Sequence, residues 1–331
     1  MKSGVRGDSM WWLLGLFLFI VILFLTANYL YKQTNNYSNC RLDIKNYIKG
    51  IPYDLQMVNL GSTYAKYAFG AYEDLNINGC DLSLQAQSLE MDYAILKQYA
   101  DHIAPGGVVV VVAAACLLLY REVGVNLLYY DVLDKNNNPL FEWRGKLESV
   151  FPIFFHPKKI KKLIKDTKRK NDIYDRYPTN LDDVRSEKVL KDLVAVWLKL
   201  FSLHDLKGAD FSEENRKIMQ RNREILGEML DLCKKKSFRP VIVVPPFSSR
   251  LNQYFSEEFK EKVIRQNIRD VVQERRVPVL NYQDDEQFQN AIELFADGGF
   301  RLNRKGSQVF LSRLIKDLQQ YGIEISNHII H

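Results

Sequence analysis

Residues 105–120 read PGGVVVVVAAACLLLY. From Val108 to Tyr120 this run holds 13 uncharged, mostly apolar residues. As a helix it would reach only ~20 Å, short of a bilayer core of ~30 Å. Five consecutive valines after a Pro-Gly-Gly turn are the composition of a strand buried on both faces, as in a parallel sheet.

The flanking segments agree. Upstream, LQAQSLEMDYAILKQYA (84–100) brings back Leu89, Tyr93 and Leu96 at helical spacing. Before it, Gln56–Leu60 (QMVNL) reads as a strand running into Gly61-Ser62-Thr63 and the helix-compatible YAKYAFGAY. Strand, helix, strand is the unit of a parallel sheet. Downstream, Asp210 with Glu213 resembles a capping box opening a helix to about Lys236, and RPVIVVPP (239–246) is a buried strand stopped by two prolines. A helix over Glu257–Glu274, a short strand at VPVLN (277–281) and a last helix over Gly306–Tyr321 complete the pattern. The expected fold class is α/β, a three-layer sandwich around a central parallel sheet, with about 121–209 as an insertion or cap.

Met10 to Tyr31 (MWWLLGLFLFIVILFLTANYLY) is different: 22 residues without a charge, or roughly 33 Å as a helix, enough to span a bilayer. Trp11, Trp12, Tyr29 and Tyr31 suit the two interfaces. No small-x-small cleavage site follows, so an uncleaved signal anchor is expected. Lys2 and Arg6 on one side and Lys32, Arg41 and Lys45 on the other leave flanking charge undecided. A short tail before a single span usually stays inside. The expected order is therefore a cytoplasmic tail (1–9), a single-pass anchor in the cell membrane (10–31), a polar stalk (32–52) and an extracytoplasmic domain (53–331).

With 47% hydrophobic and 26% charged residues the chain is globular rather than disordered. Its net charge of +6 is concentrated in PKKIKKLIKDTKRK (157–170), where eight Lys/Arg stand against one Asp, leaving the rest close to neutral. Lys158, Lys159, Lys161, Lys162 and Lys165 surround Ile160, Leu163 and Ile164 on one helical face, after Phe151, Phe154 and Phe155. A basic amphipathic helix beside an anchor points to an anionic envelope polymer or lipid surface; its plainer reading is a solvated helix face. The anchor and outward domain argue against nucleic acid. Cys40, Cys80, Cys116 and Cys233 are too widely spaced for a structural zinc site, and neither metal nor cofactor is expected.

In parallel sheets, sites form at the carboxyl ends of the strands. Three segments are expected there: Gly61-Ser62-Thr63, PPFSSRLN (245–252) and LFADGGFRLNRKGSQVF (294–310). Strand-Gly-Ser-Thr near the start, and F-x-D followed by LNxxG before the last helix, resemble the SGNH (GDSL-like) hydrolase superfamily. With SLQAQSLEMDYAILKQY, PVIVVPPFSSRLN, VPVLNY and RLNRKG, the order resembles its membrane-anchored cell-envelope branch. That branch includes DltD-type proteins of D-alanyl-lipoteichoic acid biosynthesis and polysaccharide O-acetyltransferases.

The resemblance implies a flavodoxin-like fold and ester hydrolysis or acyl transfer on O-acetyl or D-alanyl groups of an envelope polysaccharide or teichoic acid. Such chemistry needs a hydroxyl nucleophile, a base, an orienting carboxylate and fixed donors for the oxyanion. The family's Gly-Asp-Ser nucleophile falls on Thr63, with Ser62 in the Asp position. Its closing Asp-x-x-His-Leu-Asn, anchored on Leu302-Asn303, puts Arg301 in the histidine position and Asp297 one residue early. Gly61, Gln87, Asn303 and Ser248 are the expected oxyanion or substrate residues. Each has an ordinary reading too, as helix cap or turn residue. A guanidinium cannot act as a base, so whether the domain is an enzyme stays open at this level. The alternative is a degenerate domain that binds a polymer or a membrane-bound O-acyltransferase. Of the histidines, His102 precedes the valine strand, His156 and His204 lie in the insertion, and His328 and His331 end the chain.

Overall fold

The valines of the central strand alternate between two cores. Val109 and Val111 pack with Val58, Leu60, Ile242 and Val244, whereas Val108, Val110 and Val112 pack with Met57, Val241 and Val243. This period of two follows from strand geometry and means that both sheet faces are covered. The computed structural model describes residues 5–114, 116–122, 126–177, 181–208 and 210–325.

The sheet contains β1 (Leu55–Leu60), β2 (Gly79–Asp81), β3 (Ile103–Val112), β4 (Arg239–Val244) and β5 (Val279–Asn281). Their order is β2-β1-β3-β4-β5, and every pairing is parallel, with Val58 opposite Val109 and Val110 opposite Val241. The helices around the sheet and the N-terminal helix are α1 (Val5–Lys32), α2 (Thr63–Ala68), α3 (Leu89–Tyr99), α4 (Glu187–Leu200), α5 (Glu213–Lys235), α6 (Gln266–Val272) and α7 (Arg304–Gln319). One face of the sheet is covered by α3, α5 and α6, joined by Leu190, Val194 and Trp197 of α4. The other is covered by α2 and α7 through Ala65, Ala68, Phe310, Leu311, Leu314 and Leu318. The protein is thus an α/β fold with a five-stranded parallel sheet between helical layers.

Several boundaries differ from the sequence reading. The second helix begins at Leu89, because Ser88 takes the N-cap position and accepts the Met91 N–H at 3.4 Å; Gln85 and Gln87 precede it. Ser212, not an Asp210–Glu213 box, caps α5 by accepting the Asn215 N–H at 3.2 Å. The stretch 295–302 contains an antiparallel hairpin of β6 (Phe295–Asp297) and β7 (Arg301–Leu302), with Asp297 opposite Arg301. Its turn is Gly298-Gly299, with φ of 48° and 71°, a left-handed conformation that favours glycine.

Helix α1 is the one described helix long and apolar enough to cross a membrane. The polar segment after it does not stand free as a stalk. It forms short helices at Asn35–Cys40 and Lys45–Lys49, and Leu42 and Ile44 between them are buried. Asp43 there is bound by Arg176 of the insertion at 3.0 Å and by Gln85 at 3.0 Å. The basic stretch is also less helical than its pattern suggests. Pro157–Ile160 and Lys161–Ile164 are single turns, and the helix stops before Lys165.

Candidate functional site

The chain leaves β1 toward one side of the sheet and β3 toward the other, which opens a crevice beyond their carboxyl ends. Gly61 makes the turn out of β1 at φ 131°. A Cβ there would lie 3.0 Å from Cβ of both Ala65 and Val112, so the position needs glycine on steric as well as conformational grounds. Ser62 is the N-cap residue of α2 without a side-chain capping bond, and Thr63 is its first helical residue.

Ser62 and Thr63 line a cleft of about 200 Å³ together with Cys116, Leu117, Trp197 and Phe300. The insertion folds over the site: Leu193, Val196, Trp197 and Leu200 of α4 form its outer wall. Trp197 holds this wall in place through rings at 5.5 Å (Phe300), 6.1 Å (Tyr64) and 6.3 Å (Phe247). The lining is mainly apolar; besides the Cys116 thiol, its polar side chains belong to Ser62, Thr63, Tyr64, Tyr120 and Arg301.

Arg301 is held from two directions. Its Nη1 donates to Oδ2 of Asp297 at 2.5 Å across the β6–β7 hairpin. Its guanidinium carbon lies 4.3 Å from the Tyr177 ring centre and 4.4 Å from that of Phe300, within cation–π range. Thr63, Ser62 and Arg301 therefore meet at one cleft, and Asp297 stands behind Arg301.

The other expected residues have structural partners. Gln87 is fully buried and its amide nitrogen donates to Oδ1 of Asp92 at 2.5 Å. Ser248 is also fully buried; it caps Ser249–Asn252, and its N–H donates to the Gly299 carbonyl at 2.9 Å. Asn303 caps α7, accepting the Gly306 N–H at 2.9 Å and donating to the Glu293 carbonyl at 2.7 Å. His102 lies before β3, stacked 4.0 Å from Tyr53. His156 pairs with Glu148 at 2.6 Å, and His204 is exposed beyond α4. His328 and His331 fall outside the described residues. None of the described histidines lines the cleft.

Asp92, which the sequence reading passed over, underpins the turn. Its Oδ1 accepts both the Gly61 N–H at 2.7 Å and the Gln87 amide. Burial pushes this carboxyl up to about 7, against the lowering effect of those two hydrogen bonds. The available signal was its spacing: Asp92 sits three residues after Leu89 and four before Leu96, on the apolar face. A second buried network lies beneath α2. Lys66 Nζ contacts Asp81 Oδ2 at 2.8 Å, while Asp81 Oδ1 accepts from Asn59 at 2.8 Å and from the Ser83 N–H at 2.9 Å. Compared with known proteins, the chain matches no family model and no curated protein.

Proposed function

We propose that this chain is a membrane-tethered, SGNH-like domain that binds an acyl group of a cell-envelope polymer and does not cleave it by a serine-histidine-aspartate triad. The Asp297–Arg301 pair at 2.5 Å carries this reading. Arginine stays protonated at any workable pH and cannot take a proton from a hydroxyl, and the carboxylate that would orient a base is engaged by it. A binding site remains. Apolar walls suit an acetyl or similarly small acyl group, and Ser62, Thr63 and Arg301 supply polar contacts for the ester and an anionic polymer. A membrane-bound O-acyltransferase is the kind of partner that would share such a polymer. The exposed Lys158, Lys161, Lys162 and Lys165, with the half-buried Lys159, extend the positive surface toward an anionic envelope.

The second reading is acyl transfer with Thr63 or Ser62 as nucleophile. It draws on Ser62 and Thr63 lining the cleft and requires a base from elsewhere.

Calorimetric titration of the full chain in nanodiscs with an O-acetylated polysaccharide and its de-acetylated form tests the binding reading. The acetylated form is expected to bind about tenfold tighter, a difference of ~1.4 kcal/mol, with Trp197→Ala erasing the difference. Equal affinity for both forms contradicts it. The outward topology predicts that Cys40, the exposed cysteine, reacts with an impermeant maleimide in intact cells; labelling only after lysis contradicts it.

A further inference from the structure

The part of the insertion that touches α1 has the makeup of a membrane-embedded element. Asn28, in the last two turns of α1, is 8% exposed; its Nδ2 donates to the Val150 carbonyl at 3.1 Å and its Oδ1 accepts the Ile153 N–H at 3.4 Å. Phe154 meets Phe24 edge to face, with ring centres 6.3 Å apart. Farther along, Asp166 accepts the backbone N–H groups of Asn35 and Asn36, each at 2.9 Å. The segment between Val150 and Asp166 is thereby fixed at both ends to the exit of α1.

This attachment sets a depth. Phe24 lies eight residues before Lys32, where the apolar span ends, roughly 12 Å inward along a helix of ~1.5 Å rise per residue. A side chain beside Phe24 shares the hydrocarbon layer if α1 spans it. Phe154 is nevertheless 66% exposed in the isolated chain and Ile164 is 90% exposed, an arrangement without reason in water. Trp143 and Leu147 add an exposed apolar face on the helix Trp143–Val150 that leads into this segment. Lys158, Lys161, Lys162 and Lys165 are exposed beside these apolar tips and form no ion pair among the described residues.

We infer that residues 143–165 form a wedge in the bilayer beside α1, with Phe154 in the hydrocarbon, Ile164 at the acyl–headgroup boundary, and the lysines on anionic phospholipid headgroups. The inference rests on reading α1 as bilayer-spanning. The chemistry is that of an in-plane interfacial segment: apolar side chains enter while lysine stems lie along the boundary and their ammonium groups reach phosphate. The wedge fixes the height of the whole domain, because Asp166 and Asn28 lock it to the chain on either side of the membrane exit.

Site-directed spin labelling of the full chain in vesicles containing an anionic phospholipid tests this. Labels are placed one at a time through Phe19→Cys, Phe154→Cys, Ile164→Cys and Lys262→Cys in a Cys40→Ser background. At positions 19 and 154, collisions with dissolved oxygen are expected to exceed those with an aqueous nickel chelate several-fold. At 262, in the exposed outer domain, the order reverses. At 164 the two are comparable, and neutral vesicles raise its nickel collisions several-fold. A label at 154 in water while that at 19 stays in hydrocarbon overturns the wedge and leaves the anchor standing. Both in water overturns the anchor as well. If Phe154→Cys misfolds, Ile164→Cys decides alone. Water exposure at 164 in anionic vesicles, or protection there only on adding a soluble polyanion, overturns lipid as the occupant in favour of a polymer.

Discussion

The backbone N–H of Gly61 donates to Oδ1 of Asp92 across 2.7 Å, tying the turn that carries Ser62 and Thr63 to a carboxyl with no exposure to solvent. The proposed site therefore hangs from an acidic group in the helix behind it.

That carboxyl makes stability depend on pH. Its pKa is about 7 in the fold against 3.8 ordinarily, so the folded chain keeps a proton that the unfolded chain has lost between those values. The contribution is present in full below about pH 4, falls as pH rises toward 7, and is flat above. Glu122, also raised to about 7 by burial, titrates over an overlapping range. Asp92→Asn, which keeps an acceptor for Gly61, is expected to reduce the loss of thermal stability between pH 4 and 7, and adding Glu122→Gln to remove most of the remainder. Melting temperatures of detergent-solubilised protein across this range check it.

Gly61 should tolerate no side chain. Gly61→Ala places a Cβ in left-handed backbone at 3.0 Å from two packed neighbours, and is expected to destabilise by more than ~1 kcal/mol. A melting temperature unchanged by the substitution contradicts the steric account.

The Lys66–Asp81 pair is almost wholly buried, its side chains 4% and 5% exposed. Removing one partner strands the other, so Asp81→Leu is expected to cost about 3–5 kcal/mol. Lys66→Met combined with Asp81→Leu is expected to recover part of that. Denaturant unfolding of the two single variants and the double variant supplies the cycle, and additive costs contradict a coupled pair.

Much of this architecture was legible in advance. The valine run, the QMVNL and VIVV strands and the uncharged N-terminal stretch each carry a periodicity or length that one physical environment satisfies. Ser62 and Thr63 were placed by the glycine turn after the QMVNL strand, and Arg301 by the resemblance of the closing motif, and all three line one cleft. What was not legible depends on contacts distant in sequence. Gln87 and Ser248 are polar residues near strand ends, and only Asp92 and Gly299 reveal them as buried supports. The 32–52 segment is polar enough for a stalk, yet Asp43 finds Arg176 more than a hundred residues away. Trp197, inside a helix of the insertion, closes the cleft through tertiary packing that no local pattern encodes.

Arg301 and Asp297 carry the claim that the site binds without a triad. Breaking them with Arg301→Ala leaves a carboxylate with 26% exposure, and a cost of about 2 kcal/mol is expected, less than for a fully buried pair. Loss of stability on this scale, with the fold retained, marks the pair as structural.

The most direct measurement is to incubate the full chain with a chromogenic acetyl ester and, in parallel, a serine-hydrolase phosphonate probe, alongside Thr63→Ala and Ser62→Ala. Binding without a triad predicts no turnover above the variants and no phosphonate adduct on Ser62 or Thr63. Turnover, or an adduct on the native chain that either substitution abolishes, contradicts it and establishes the hydroxyl as a nucleophile.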